Sequence, residues 1–89
     1  MVAVKKIVLD VLKPHHPSAL EYSRAIAAVG PDYRVELTVL EVDENTETLQ
    51  IVVESKAIDF EAVQSVINEM GGSLHSVDEV IVQNEADTE

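Results

Sequence analysis

IDFEAVQSVINEMGGSLHSVDEVIV, residues 58–82, carries a helix, a stop and a strand in direct succession. Phe60, Val63, Val66, Ile67 and Met70 recur at i, i+3, i+6, i+7 and i+10, one stripe of a 3.6-residue period. Asp59 stands where a helix N-cap is expected. Ile58 and Val63 have the spacing of a hydrophobic staple. Gly71-Gly72 ends the helix, one glycine supplying the left-handed cap. Leu74 to Val82 then reads as a strand.

Upstream lies a hairpin. Tyr33, Val35, Leu37 and Val39 alternate as a strand, and Leu40 and Val42 continue one residue out of phase. That predicts a β-bulge near Val39-Leu40. Asp43-Glu44-Asn45-Thr46-Glu47 is the polar turn, and Leu49, Ile51 and Val53 form the inner face of the returning strand. Further out, residues 3–12 alternate with Ile7, Leu9 and Val11 on one face and Val4, Val8 and Leu12 on the other. Lys13-Pro14-His15-His16-Pro17 interrupts this strand, since prolines cannot continue a ladder. Ser18-Ala19-Leu20-Glu21 is a capping box. The helix it opens runs to about Val29, with Leu20, Ser23, Ile26 or Ala27, and Gly30 facing inward, and Gly30-Pro31 stops it.

The order is βαββαβ. Right-handed crossovers turn it into an α+β, ferredoxin-like two-layer sandwich: a four-stranded antiparallel sheet of order 4-1-3-2 with both helices on one face. Residues 1–83 form one domain, and residues 84–89 are expected as an acidic flexible tail.

In 89 residues, 17 acidic side chains oppose 6 Lys and Arg, a formal net charge of −11. Lys5, Lys6, Lys13, Arg24, Arg34 and Lys56 are scattered along the chain, which speaks against a nucleic-acid partner. Two readings of the acidic excess compete: a surface that binds cations or a basic partner, and adaptation to a salt-rich cytoplasm, where a short Debye length screens self-repulsion; the spread of carboxylates along the chain favours the second. There is no Cys, which removes disulfides, thiolate metal sites and thiol catalysis. The start Met-Val-Ala-Val-Lys-Lys enters a strand and has no signal-peptide h-region. No apolar run reaches membrane-spanning length, and a cytoplasmic, membrane-free protein is expected.

Two helices cover one face of the sheet. The other face should then carry Val4, Val8, Leu12 and Val52, with either Val77 or Ile81. An apolar face of that kind marks an interface, so a homo-oligomer is expected, and the two edge strands offer further pairing surfaces.

The topology brings the end of strand 1, the start of helix 1, the hairpin turn and the start of strand 4 to one end of the sheet. His15, His16 and His75, every histidine of the chain, fall there with Asp43 and Glu44, and Glu47 beside them. Asp10 lies near the end of strand 1, and Asp78 lies further along strand 4. Imidazole with carboxylate suits Zn²⁺, Ni²⁺ or Cu²⁺, and carboxylates with carbonyls suit Ca²⁺ or Mg²⁺. The candidate divalent-cation set is therefore His15, His16, His75, Asp10, Asp43, Glu44 and Asp78. No catalytic constellation is present: the serines lack a nucleophile-elbow context, and Gly71-Gly72-Ser73 follows a helix instead of opening one. The leading reading is a non-enzymatic assembly binding a cation or small ligand between subunits. The alternatives are a metal-dependent enzyme using His15, His75, Asp10 and Asp78, and a structural assembly without ligand.

LDVLKPHHPS (9–18), LEVDENTETLQIVVES (40–55), IDFEAV (58–63) and GGSLHSVDEV (71–80) together resemble an archaeal family, domain-of-unknown-function family number 211. The likeness covers nearly the whole chain. Lys13, Pro14, His15 and Pro17 match the family's pattern after the first strand, and His16 departs from it. Gly71-Gly72, His75-Ser76 and Asp78-Glu79 match its later pairs. The resemblance implies a ferredoxin-like fold and a ring, hexameric or larger, and brings no activity with it. The acidic excess resembles a haloarchaeal member.

Overall fold

Ser18 Oγ accepts from the Glu21 amide and the Glu21 carboxylate accepts from the Ser18 amide, 3.2 Å each way. The capping box thus opens the first helix. Asp59 caps the second helix by accepting from the Ala62 amide at 3.1 Å. Gly71 ends that helix at φ +87°, a conformation in which a side chain would be strained. The computed structural model describes residues 1–86 and gives the order β1 (Val2–Pro14), α1 (Ala19–Ala27), β2 (Arg34–Val42), β3 (Thr46–Glu54), α2 (Phe60–Glu69), β4 (Ser73–Asn84). The sheet order is β2-β3-β1-β4, all pairs antiparallel, which is the expected 4-1-3-2 read from the other edge. The expected bulge is present: the β2–β3 register slips between Val39 and Glu41.

The core lies between the sheet and the helices. Ile7, Leu9 and Val11 of β1 and Leu49, Ile51 and Val53 of β3 meet Ile26 of α1 and Val63 and Ile67 of α2. Among the described residues no helix is long and apolar enough to cross a membrane.

Three local readings are corrected. Val4 packs against the helix-side core, not on the open face. The β1–β4 register slips between Val4 and Lys6, and one extra residue reverses the pleat. Lys6 then pairs with Ile81 and Ile7 with Val80, so Ile81 joins Val8, Leu12 and Val52 on the open face while Val77 and Val80 stay on the helix side. In α1 the inward residues are Tyr22 and Ile26, and Leu20 is 58% exposed. The helix is rotated so that the Tyr22 ring fills the interior and its hydroxyl donates to the Met70 carbonyl at 2.7 Å. β1 also runs through Lys13 to Pro14 before it stops.

β4 extends to Asn84. The Met1 ammonium donates to Asn84 Oδ1 and the Glu85 carbonyl, and the Glu85 amide donates back to the Met1 carbonyl at 2.7 Å. The rest of the expected tail, Asp87 to Glu89, lies outside the described residues.

Candidate functional site

Lys13 follows Ile7, Leu9 and Val11 on the helix side of β1, where pleat alternation puts its Cβ in the core. The residue is 1% exposed. A buried ammonium requires partners for all three protons. Nζ finds them in the Pro14 carbonyl at 2.7 Å, the His15 carbonyl at 3.3 Å and Glu47 Oε1 at 3.0 Å. Beneath it lies the Tyr22 ring, 5.5 Å from Nζ to the centroid.

Glu47 is the register partner of Lys13 on β3, and its second oxygen holds His15. His15 Nδ1 lies 3.0 Å from Glu47 Oε2, and Nε2 lies 2.9 Å from the Glu44 carbonyl oxygen. Both nitrogens face acceptors, so only the imidazolium can donate to both. The Glu47 hydrogen bond, then the Glu44 carbonyl, raises the His15 pKa from its ordinary 6.5. The same bond, with that from Lys13, lowers the Glu47 carboxyl from its ordinary 4.5. The result is a charged latch tying the end of β1 to the β2–β3 turn. Held this way, His15 has no lone pair to offer a metal ion.

Across the sheet the setting differs. Asp10, Leu12, Thr48 and His75 line an open-face pocket of about 240 Å³. Neither the Asp10 carboxylate nor the His75 ring has a hydrogen bond or ion pair with another side chain among the described residues. Asp10 and His75 reach this pocket from adjacent strands because β1 pairs with β4 at Asp10 and Ser76, and a register shift at His75 leaves it outside the ladder. The predicted histidine end therefore divides in two: His15 belongs to the latch and His75 to the open face.

The other candidates take separate places. His16 is exposed beside the cis His16-Pro17 bond. Asp43 and Glu44 act through their backbones, the Asp43 amide donating to the Thr46 carbonyl at 2.8 Å and the Glu44 carbonyl accepting from His15. Asp78 accepts from Ser76 Oγ at 2.7 Å. Among the described residues, no group of three or more His, Cys, Asp or Glu side chains is placed to hold a metal ion.

Sequence reasoning left Lys13 out of the candidate set. A signal was present: Lys13 continues the Ile7, Leu9, Val11 alternation. At the opposite end of the sheet a broader depression of about 480 Å³ runs along Val29 to Tyr33, Lys56, Ala57 and Asp59. Its polar groups tie loops together. Asp32 accepts from Ser55 Oγ and the Lys56 amide, chiefly the latter, which lowers its pKa, and Tyr33 Oη accepts from the Asp59 amide at 2.6 Å.

Residues 5–86 match the model of the family described as Uncharacterized ArCR, domain-of-unknown-function family 211. The uncharacterized protein MJ0319 of Methanocaldococcus jannaschii is 36% identical over 81 residues, an alignment that covers 91% of this chain and 84% of that protein.

Proposed function

The chain belongs to the Uncharacterized ArCR family, and from that premise we propose a non-enzymatic, cytoplasmic homo-oligomer, a hexameric ring or larger, that takes a divalent cation or small ligand on its open sheet face. One observation carries the oligomer: both edge strands present apolar side chains to water. On β2 these are Val39, Leu40 and Val42, with Leu40 59% and Val42 64% exposed. On β4 they are Val77, Val80, Ile81 and Val82, with Val80 51% exposed. Apolar edge strands invite pairing, and natural monomers blunt them with charge, proline or a covering element. A chain of this length also buries only about 60–65% of its unfolded surface by itself.

The ligand is assigned to the pocket of Asp10 and His75 because those side chains keep free donor atoms. The metal-enzyme alternative would need His15 as a ligand, and His15 is already bonded at both nitrogens. The net charge of −11 makes the ring a salt-adapted one, since contact between like-charged copies requires screening.

Light scattering in molar KCl tests the assembly. The expected mass is at least a hexamer of the 9.7 kDa chain, and a 9.7 kDa particle overturns it. Elemental analysis of the native protein tests the ligand. A stoichiometric divalent ion present in the wild type and lost in His75→Ala supports the cation; absence of any such ion overturns it and leaves the small ligand, which native mass spectrometry of the same protein would detect.

A further inference from the structure

We infer that His15 is a proton-operated catch on the β2–β3 turn: the doubly protonated ring holds residues 43–45 against the end of β1, and loss of one proton frees that turn while the strands on either side stay paired. The catch is a property of the single chain and does not depend on the assembly proposed above.

The ladder itself sets up the contact. Lys13 pairs with Glu47 and Pro14 with Thr46, so the residue that follows Pro14 emerges beside the turn. Residues 43–45 lie between β2 and β3 and are exposed. The Asp43 amide donates to the Thr46 carbonyl at 2.8 Å, which closes the turn on itself. Among the described residues, one hydrogen bond joins residues 43–45 to anything outside the hairpin: His15 Nε2 to the Glu44 carbonyl, at 2.9 Å.

Donor count makes that bond conditional. A neutral imidazole has one N–H, and both ring nitrogens of His15 face acceptors. One of the two bonds must lapse when the ring loses a proton. The remaining proton stays on Nδ1, because the Glu47 carboxylate is an ionised acceptor and the Glu44 carbonyl is not. Lys13 fixes that carboxylate by its other oxygen at 3.0 Å. Nε2 then turns a lone pair toward the Glu44 oxygen, and the contact becomes repulsive. Glu44 is exposed, so water takes over its carbonyl and no buried polar group loses its partner. The Lys13–Glu47 ion pair and the β1–β3 register do not involve the departing proton, which confines the motion to the turn.

The charges around the ring set the direction. Glu47 on β3 is the one carboxylate in ion-pair contact with His15 among the described residues. Its hydrogen bond, then the Glu44 and Asp43 backbones of the turn, favour the imidazolium, and desolvation opposes it. Lys13 on β1 is the neighbouring cation, and its protons are taken by Glu47 and two carbonyls. His16 follows along the chain, and Glu21 of α1 is engaged with the Ser18 amide. The catch is therefore closed at acid pH and opens above 6.5, the ordinary imidazole value.

A spin label tests this. The chain has no Cys, so a nitroxide on Asn45→Cys reports the turn alone. In molar KCl, from about pH 5 to about pH 9, its paramagnetic resonance spectrum should pass from a slow to a fast component with the slope of one proton, a crossover about two pH units wide. The same label on Glu61→Cys, exposed on α2, should not respond. With the label on the turn, His15→Gln should give the fast spectrum at every pH, and Glu47→Gln should move the midpoint down. If circular dichroism shows His15→Gln unfolded, His16→Gln and His75→Gln decide in its place, and each should keep the wild-type crossover. A turn label that ignores pH in the otherwise wild-type chain overturns the catch. So does a crossover that survives His15→Gln or vanishes in His16→Gln or His75→Gln, a midpoint unmoved in Glu47→Gln, or an equal response of the Glu61 label.

Discussion

Lys13 and Asp10 stand three residues apart on β1, on opposite faces of the sheet, and share almost nothing in their surroundings. The Lys13 ammonium is enclosed by two carbonyls, a carboxylate and an aromatic ring. Asp10 faces a pocket with His75 and has no side-chain partner among the described residues. A charge inside a core persists only when its bonds are complete, and completed bonds leave nothing for a ligand. A charge at an open surface is hydrated and needs no partner to be stable. Its donor atoms stay available. On this sheet end the helix side does structural work, and the open side is where we propose that binding occurs.

The contrast breaks most visibly at Lys13. Lys13→Ala removes the one ammonium that joins Glu47, the Pro14 and His15 carbonyls and the Tyr22 ring. The expected loss is about 3 kcal/mol in urea unfolding. A loss no larger than that of a surface substitution would mean that the buried network contributes no net stability. Tyr22→Phe should cost about 1 kcal/mol, since it forfeits the hydrogen bond to the Met70 carbonyl.

The latch also has a pH signature. The raised His15 pKa gives a contribution fully present below 6.5 and lost as pH rises through the folded value. The lowered Glu47 pKa gives one fully present above 4.5 and lost as pH falls through its folded value. Stability from this pair is therefore greatest between 4.5 and 6.5. Thermal melts in KCl across that window should show the maximum, and Glu47→Gln should flatten both flanks. An unchanged profile in Glu47→Gln would assign the pH dependence to other groups.

The smallest stability effects belong to the open face. Asp10→Asn and His75→Ala should each shift stability by no more than about 0.5 kcal/mol, while both weaken cation uptake in equilibrium dialysis against Mn²⁺. Large destabilisation by either would erase the distinction between the two faces.

Much of the fold was legible in local pattern. Ser18 and Glu21, Asp59, and Gly71 mark helix ends by rules that act within one turn, and each mark is met. The odd-numbered run Ile7, Leu9, Val11 identified the core face of β1. The candidate site was legible only as a region. His15 and His75 do fall at one end of the sheet, but the sequence offered no means of seeing that they point to different faces. That outcome depends on register shifts between β1 and β4, which are properties of a strand pair. Val4 was misplaced for the same reason. Tyr22 was missed because helical phase in α1 answers to Met70, whose carbonyl accepts from the Tyr22 hydroxyl and which is distant in sequence.

By itself the sequence determined the six elements, their order, the sheet topology and the acidic character, because caps, stops, periodicity and composition are local or additive. Only the tertiary structure decided which charge is buried, which histidine is bonded at both nitrogens, and which face of the sheet His75 joins. Those outcomes follow from non-local pairing, where a shift of one residue exchanges the faces of a strand and the topology brings distant side chains within hydrogen-bond reach.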